Sequence, residues 1–343
     1  MTNGIPRWLL AIETSCDDTS ASVLRDGREA TATVSQTQVA PHAAYGGIVP
    51  EAASRIHAEV IDSVCRAALE QAGVECDEIG AVAVTVGPGL PGSLLVGLEF
   101  ARGLAYGLEV PLVPVNHLEG HIAAAWLDVD EGPELPAVAL IVSGGHTELV
   151  SVEAPRRYRM LGRTRDDAAG EAFDKAARVL GLGFPGGPEI QKMSERPHGP
   201  EKRFPRPNVK NSLDFSFSGL KTAMLHRAQE KGWYPPGEDE IDESELAGVA
   251  AEFQEAVVDS IVTRCVAAAE KYRVAGIVLG GGVAANSLLR KEAIARSPVP
   301  VIVPRPGLCT DNGAMIGAAA WHHLKDSPQY GWDLDVVPTL RLG

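Results

Sequence analysis

The segment His117-Leu-Glu-Gly-His121 places two imidazoles four residues apart. On a helix that spacing separates them by only about 40° around the axis. Their Cβ atoms then lie roughly 6 Å apart on one face, close enough to share a metal ion. Two histidines do not make a site, because the same pair arises on a solvated face and metal sites usually take three protein ligands. Asp311, in Cys309-Thr-Asp-Asn-Gly313, is a candidate third ligand. It is equally a candidate N-cap for a final helix, the commonest role of Asp at a helix start, and spacing does not choose between the two. Zinc proteases need a glutamate directly after the first histidine of such a pair. Leu118 stands there, and Glu119 would point about 200° away from His117, so protease chemistry is excluded.

Three glycine turns supply further chemistry. Gly280-Gly-Gly282 follows an apolar run and precedes a helical one, so its backbone can approach a ligand closely and aim N–H groups at an anion. Such turns also occur in α/β folds with no ligand. Asn286 is read one turn into the following helix. Ser143-Gly-Gly145 and Gly186-Gly187 are the other two turns. Together they suggest a nucleotide held between domains. Asp174 can accept hydrogen bonds from ribose hydroxyls, or form a surface pair with Lys175. No residue stands out as a covalent nucleophile. Cys309 reads as a small buried residue, and Asp17-Asp18 as ligands or turn residues.

The elements that must position these residues alternate between strand and helix. Strands are predicted at Leu9–Ser15, Ser20–Leu24, Ala81–Val86, Leu112–Val115, Ala137–Val142, Thr147–Val152, Gly276–Leu279 and Val299–Val303, the last at an edge because of Pro300. Helical periodicity covers Glu51–Gln71, Ser93–Tyr106, 168–181, 187–195, 216–231, 246–272 and Ala284–Ala295, with a final helix from about Asn312. The stretch 197–213 reads as a long loop. The strand–turn–strand pattern after Leu9 recurs after Ala137, which points to a duplicated α/β architecture.

The 343 residues exceed one modest core, so two domains are expected, with a boundary at Asp128–Pro133. No apolar run is long and unbroken enough to span a bilayer, the N-terminus reads as a first strand, and five cysteines without paired spacing suit free thiols in a reducing cytoplasm. The net charge of −14 argues against a generally nucleic-acid-coating surface. Yet Arg156, Arg157, Arg159, Arg163 and Arg165 cluster, Lys192 to Lys210 adds six more cations, and acid is concentrated between Glu238 and Glu245. The basic cluster is either solvated surface or a local grip on RNA.

Taken in order, Ile12-Glu-Thr-Ser-Cys-Asp-Asp-Thr19, Glu51-Ala-Ala-Ser-Arg-Ile-His57, His117-x-x-x-His121, Val142-Ser-Gly-Gly-His-Thr147, Gly170-Glu-Ala-Phe-Asp-Lys175, Phe184-Pro-Gly-Gly-Pro188, Phe215-Ser-Phe-Ser-Gly-Leu-Lys221, Gly280–Asn286 and Cys309–Gly313 resemble the bacterial tRNA threonylcarbamoyladenosine transferases, the TsaD family. The resemblance runs through nearly the whole chain. It implies an actin/Hsp70/sugar-kinase fold, with two related domains (1–130 and 131–310) around a nucleotide cleft, a helical insertion in the second, and the helix 311–325 returning to the first. It implies a metal, Fe2+ or Zn2+, on His117, His121 and Asp311, with Mg2+ accompanying a nucleotide as a further candidate ion. Threonylcarbamoyl-adenylate would lie against Ile141, Val142, Ser143, Gly144 and Gly145, with Asp174, Gly187 and Asn286 at its nucleoside. The acceptor would be the adenosine 3′ of the anticodon in ANN-decoding tRNAs, and AMP would leave. Implied partners are a shorter paralogue of the same fold and a small P-loop ATPase, with the helix Glu51–His57 as a candidate partner or tRNA surface. The competing expectations are a phosphotransferase, which the same superfold also houses, and a non-catalytic scaffold; the histidine pair speaks against the first and the retained Asp311 segment against the second.

Overall fold

The structure is a computed structural model and describes residues 6–43, 45–129, 132–206, 209, 211–235, 241–326 and 332–342. Part of the expected boundary (130 and 131), part of the acidic run (238–240) and Lys210 lie outside the described residues. The chain divides into two compact units: Met1–Pro133 with Ala154–Tyr158 and Pro304–Gly343, and Glu134–Glu153 with Arg159–Val303.

In the first unit the strands are β1 (Trp8–Glu13), β2 (Asp18–Arg25), β3 (Glu29–Thr37), β4 (Ala81–Gly87) and β5 (Leu112–Asn116), in the order β3-β2-β1-β4-β5. β2 runs antiparallel to β1 and β3, whereas β1, β4 and β5 are parallel. Every residue of β4 is buried, as expected of a central parallel strand covered on both faces. Alternation along β1 divides the core in two. Leu10 and Ile12 join Val82 and Val84 against Ile61, Val64, Leu98 and Ala101 of the helices Pro50–Ala72 and Pro91–Leu108. Leu9 and Ala11 join Ala81, Ala83, Met315, Ile316 and Ala319 under the C-terminal helix Gly313–Asp326. Alanines dominate that second face, so the helix can lie close to the sheet.

β6 (Ala137–Val142), β7 (Thr147–Ala154), β8 (Arg157–Arg163), β9 (Gly276–Gly280) and β10 (Val301–Ile302) form a sheet ordered β10-β9-β6-β7-β8, which lies in the second unit apart from Ala154–Tyr158 at the β7–β8 turn. β6 is antiparallel to β7 and parallel to β9, and β10 is parallel to β9. Substituting β6 to β10 for β1 to β5 reproduces the order of the first sheet, so the repeat of the strand–turn–strand pattern is a repeat of the whole sheet. The edge strands β3 and β8 were not expected from sequence, and β10 is shorter than expected, starting at Val301 beyond Pro300. The described residues of the predicted loop 197–213 contain no helix or strand. Among the described residues, no helix is long and apolar enough to cross a membrane.

Candidate active site

β5 ends at Asn116, whose side-chain oxygen accepts from the N–H groups of Leu118 and Glu119 and caps the helix His117–Ala123. That cap starts the helix at His117 and brings His121 round beside it, with ring centroids 4.6 Å apart. Asp311 reaches the pair from the far end of the chain. Its Oδ1 lies 3.2 Å from His121 Nε2 and 3.6 Å from His117 Nε2. The three donor atoms fall within 4.8 Å of one another. Asp311 is not the cap of the last helix: Asn312 is, its Oδ1 accepting from Met315 N–H at 2.9 Å. Gly313 sets the approach, because a Cβ there would meet Ala11 O at 2.6 Å, and its N–H donates to Ser20 Oγ.

The set fits a divalent cation. His121 Nε2 is buried and faces Asp311 Oδ1 at 3.2 Å. His117 Nδ1 lies 3.2 Å from Glu13 Oε2 and 3.1 Å from Ser15 Oγ. A hydrogen on Nδ1 facing Glu13 leaves the Nε2 lone pair toward Asp311, the tautomer a metal needs. Burial opposes charge on His117, but Asp311 and Glu13 outweigh it and raise its pKa to about 9. Burial also opposes charge on Glu13, yet the His117 charge and hydrogen bond hold its carboxyl below the usual value. Burial, aided by the positive charge on His117, lowers His121 despite the Asp311 contact. An ion bound at the two Nε2 atoms would displace the second His117 proton; with both rings then neutral, the carboxylates of Glu13 and Asp311 would carry two negative charges, the number that balances a divalent ion. Burial raises Asp17 and lifts Asp18 to about 7, with Asp311 adding to both. Burial, with Asp17, Asp311 and Glu13 adding to it, pushes the Cys16 thiol well up, which disfavours the thiolate form.

The second unit carries the other predicted residues. Ile141 and Val142 are fully buried in β6, so contact with a ligand falls to the turn beyond them. There Ser143 N–H donates to His146 O, and Ser143 Oγ accepts from His146 N–H. Gly170, opening the helix Ala169–Val179, packs on this turn so tightly that a Cβ would meet Ser143 O at 2.7 Å. Gly144 and Gly145 are exposed, and a Cβ on either would meet nothing within 4 Å. The same contrast separates Gly186, whose Cβ would strike Asp174 Cα at 2.5 Å, from Gly187, which is open. Gly281 needs its positive φ of 90° and its closeness to Val142 O, whereas Gly282 is open. The open glycines are a cradle that side chains would fill. Asp174 Oδ1 accepts from Gly186 N–H at 2.7 Å, starting the helix Gly186–Ser194, and Lys175 pairs instead with Asp167 and Glu171. Asn286 is not one turn into its helix but caps it, accepting from Leu289 N–H and donating to Gln254 Oε1.

The family model described as TsaD, tRNA N6-adenosine threonylcarbamoyltransferase, matches residues 29–318. A protein of that name from Thermomicrobium roseum is 50% identical, covering 97% of this chain and 96% of its own. Another from Clostridium perfringens is 46% identical, covering 98% of each. This chain belongs to the tRNA N6-adenosine threonylcarbamoyltransferase family. It is accordingly an acyltransferase acting in tRNA modification. Among solved structures, HypF from T. kodakarensis is similar with a TM-score of 0.61 at 14% identity, over 93% of this chain and 47% of that one. Component A of the (R)-2-hydroxyglutaryl-CoA dehydratase of Acidaminococcus fermentans follows at 0.53 and 16%, over 94% and 99%. These identities speak to fold alone, and the fold is that of the actin/Hsp70/sugar-kinase class.

Within this member of the family, sequence reading missed the residues behind the ligands. Glu13 and Ser15 lie in the Ile12–Thr19 motif, about a hundred positions from His117, and no local spacing joins them to it. Glu119 accepts from Tyr158 OH at 3.1 Å and meets His323 Nε2 at 2.9 Å. His57 is buried rather than presented on a surface, bonding Thr19 and Cys16 O. Polar residues at such positions carry no periodic signal.

Proposed function

We propose that the chain transfers a threonylcarbamoyl group from threonylcarbamoyl-adenylate to the exocyclic N6 amine of the adenosine 3′ of the anticodon in ANN-decoding tRNAs, in the cytoplasm. The amine nitrogen forms a bond to the carbamoyl carbon and loses a proton. The bond from that carbon to the phosphate oxygen breaks, and AMP leaves with its electron pair. His117, His121 and Asp311 hold one divalent ion, Fe2+ or Zn2+. When bound, that ion supplies Lewis acidity toward the acyl oxygen. Glu13 and Ser15 hold the His117 ring, and Asp311 is aimed by the Asn312 cap. In the second unit, Ser143–Gly145 and Gly187 admit the donor's nucleoside closely, with Asp174 and Asn286 framing it and Mg2+ accompanying the phosphate where nucleotide is bound. A shorter paralogue of the same fold and a small P-loop ATPase complete the proposed system.

Full-length similarity to threonylcarbamoyltransferases carries this reading, and the convergence of two histidines and an aspartate supports the metal. The test mixes metal-loaded protein, the two partners, threonylcarbamoyl-adenylate and unmodified tRNA, with nucleosides read by mass spectrometry. Threonylcarbamoyladenosine should appear only when this chain is present. An intact, metal-bound sample that forms none would return the phosphotransferase and scaffold readings to contention. Full transfer by a His117→Ala, metal-free variant would remove the metal from the mechanism.

A further inference from the structure

β8 is an edge strand, with the sequence Arg157-Tyr-Arg-Met-Leu-Gly-Arg163. Successive side chains alternate faces, so Arg157, Arg159, Leu161 and Arg163 share one side at intervals of about 6.6 Å. All three arginines are exposed, while Tyr158, Met160 and Gly162 on the other side are half-buried or buried. Among the described residues, no acid pairs with the guanidinium of Arg157 or Arg163. Arg159 has only Glu153, at 3.9 Å, and lies over the Tyr272 ring at 4.8 Å. Lys271, from the last turn of the helix Glu243–Tyr272, lies over the same ring at 5.4 Å.

Several cations elsewhere in this unit are matched by acids. Arg165 pairs with Asp214, Arg206 is near Glu252, Glu255 and Asp259, and Arg227 and Lys231 hold Glu201. In a chain of net charge −14, arginines on one side of a strand with little acid beside their guanidinium groups form a local cationic surface. Like charges side by side on one strand repel. A polyanion relieves that repulsion, and guanidinium forks suit phosphate oxygens. Arg159 and Arg163 stand about 13 Å apart on one exposed side of the strand, with Leu161 between them, a span that suits phosphates of one strand.

We infer that Arg159 and Arg163 of β8, with Lys271, form a docking stripe for the phosphate backbone of tRNA. The inference rests on the transfer reaction proposed above and assigns the surface that holds its acceptor. Contacts of this kind position the nucleic acid and are indifferent to sequence. The stripe therefore governs affinity for tRNA, while the chemistry stays with the ligand-bearing residues.

The test uses the full chain with its metal and partners, and reads tRNA binding against salt together with transfer kinetics. In the triple variant Arg159→Ala/Arg163→Ala/Lys271→Ala, tRNA affinity should fall about tenfold or more, and the slope of log affinity against log salt should shrink by about two. KM for tRNA should rise with kcat retained at saturation, and Arg163→Lys should keep most of the binding. Lys291→Ala, an exposed cation elsewhere in the same unit, should change nothing. A triple variant that binds tRNA with wild-type affinity and salt slope overturns the stripe. Wild-type protein that binds tRNA but yields no product overturns the transfer reading instead, because binding is measured without turnover.

Discussion

Glu13 has no solvent exposure, yet it stays ionised, receiving hydrogen bonds from Thr85 and the Ser15 backbone and facing His117. Its role is to hold the His117 ring in one tautomer. Glu13→Gln keeps the shape but removes the charge that favours Nδ1–H. Metal affinity should therefore fall by about 10–100-fold, read by competition with a chromophoric chelator; unchanged affinity would show that Ser15 alone suffices. The glycines allow a second contrast. Gly187→Ala should leave the melting temperature nearly unchanged, since its Cβ meets nothing, while weakening donor binding in calorimetry. Gly186→Ala should destabilise the fold by about 1–3 kcal/mol, because its Cβ runs into the Asp174 backbone. The histidine pair and the glycine turns were legible because they recur at fixed local spacing. Glu13 was not, since its partner is 104 residues away and a carboxylate ending an apolar run looks like a strand boundary.

The helix Ser218–Glu230 begins in the segment Phe215–Lys221, whose serines have no explanation within the helix itself. Asp166 supplies it. Its Oδ1 accepts from the N–H groups of Phe217 and Ser218, and its Oδ2 from the hydroxyls of Ser216 and Ser218. Burial alone would raise the Asp166 pKa, but the bonds from Ser216, Phe217 and Ser218 prevail and lower it. A folded pKa below the unfolded one contributes stability at pH values above the unfolded value, and that contribution is lost as pH falls through the folded pKa. Thermal unfolding measured downward from pH 6 should thus steepen its decline below about pH 4. Asp166→Asn should flatten that acid limb and cost about 1–2 kcal/mol near neutrality; identical acid limbs would place the acid sensitivity on Asp167 and Asp214, which are also held low. Helices were read well because their apolar periodicity is local. The edge strands β3 and β8 escaped notice because one is rich in Thr, Ser and Gln and the other in Arg, so neither shows the apolar signature of the buried strands beside them.

At the scale of the whole chain, the last forty residues belong to the first unit. Leu308, Met315, Ile316 and Leu324 are buried in the core formed with Leu9 and Ala11. Four such side chains contribute about 6–12 kcal/mol, comparable to the full stability of a domain. Ending the chain at Val303 should accordingly leave the first unit unfolded or aggregated, seen as lost cooperative melting in calorimetry, rather than merely inactive. The same return carries Asp311 to the histidines, so binding of the proposed metal would be coupled to closure of the chain. Metal at 100 times its dissociation constant should add about 2.7 kcal/mol to the folded state, raising the melting temperature by about 5–10 °C. Asp311→Asn retains the helix, because the cap belongs to Asn312, yet it removes one of the two charges that would balance the proposed ion. It should melt close to the chelator-treated wild type and show little response to added metal. If instead it gains as much from metal as the wild type does, the ion is held without the C-terminal segment. The stabilisation then comes from His117, His121 and Glu13 alone.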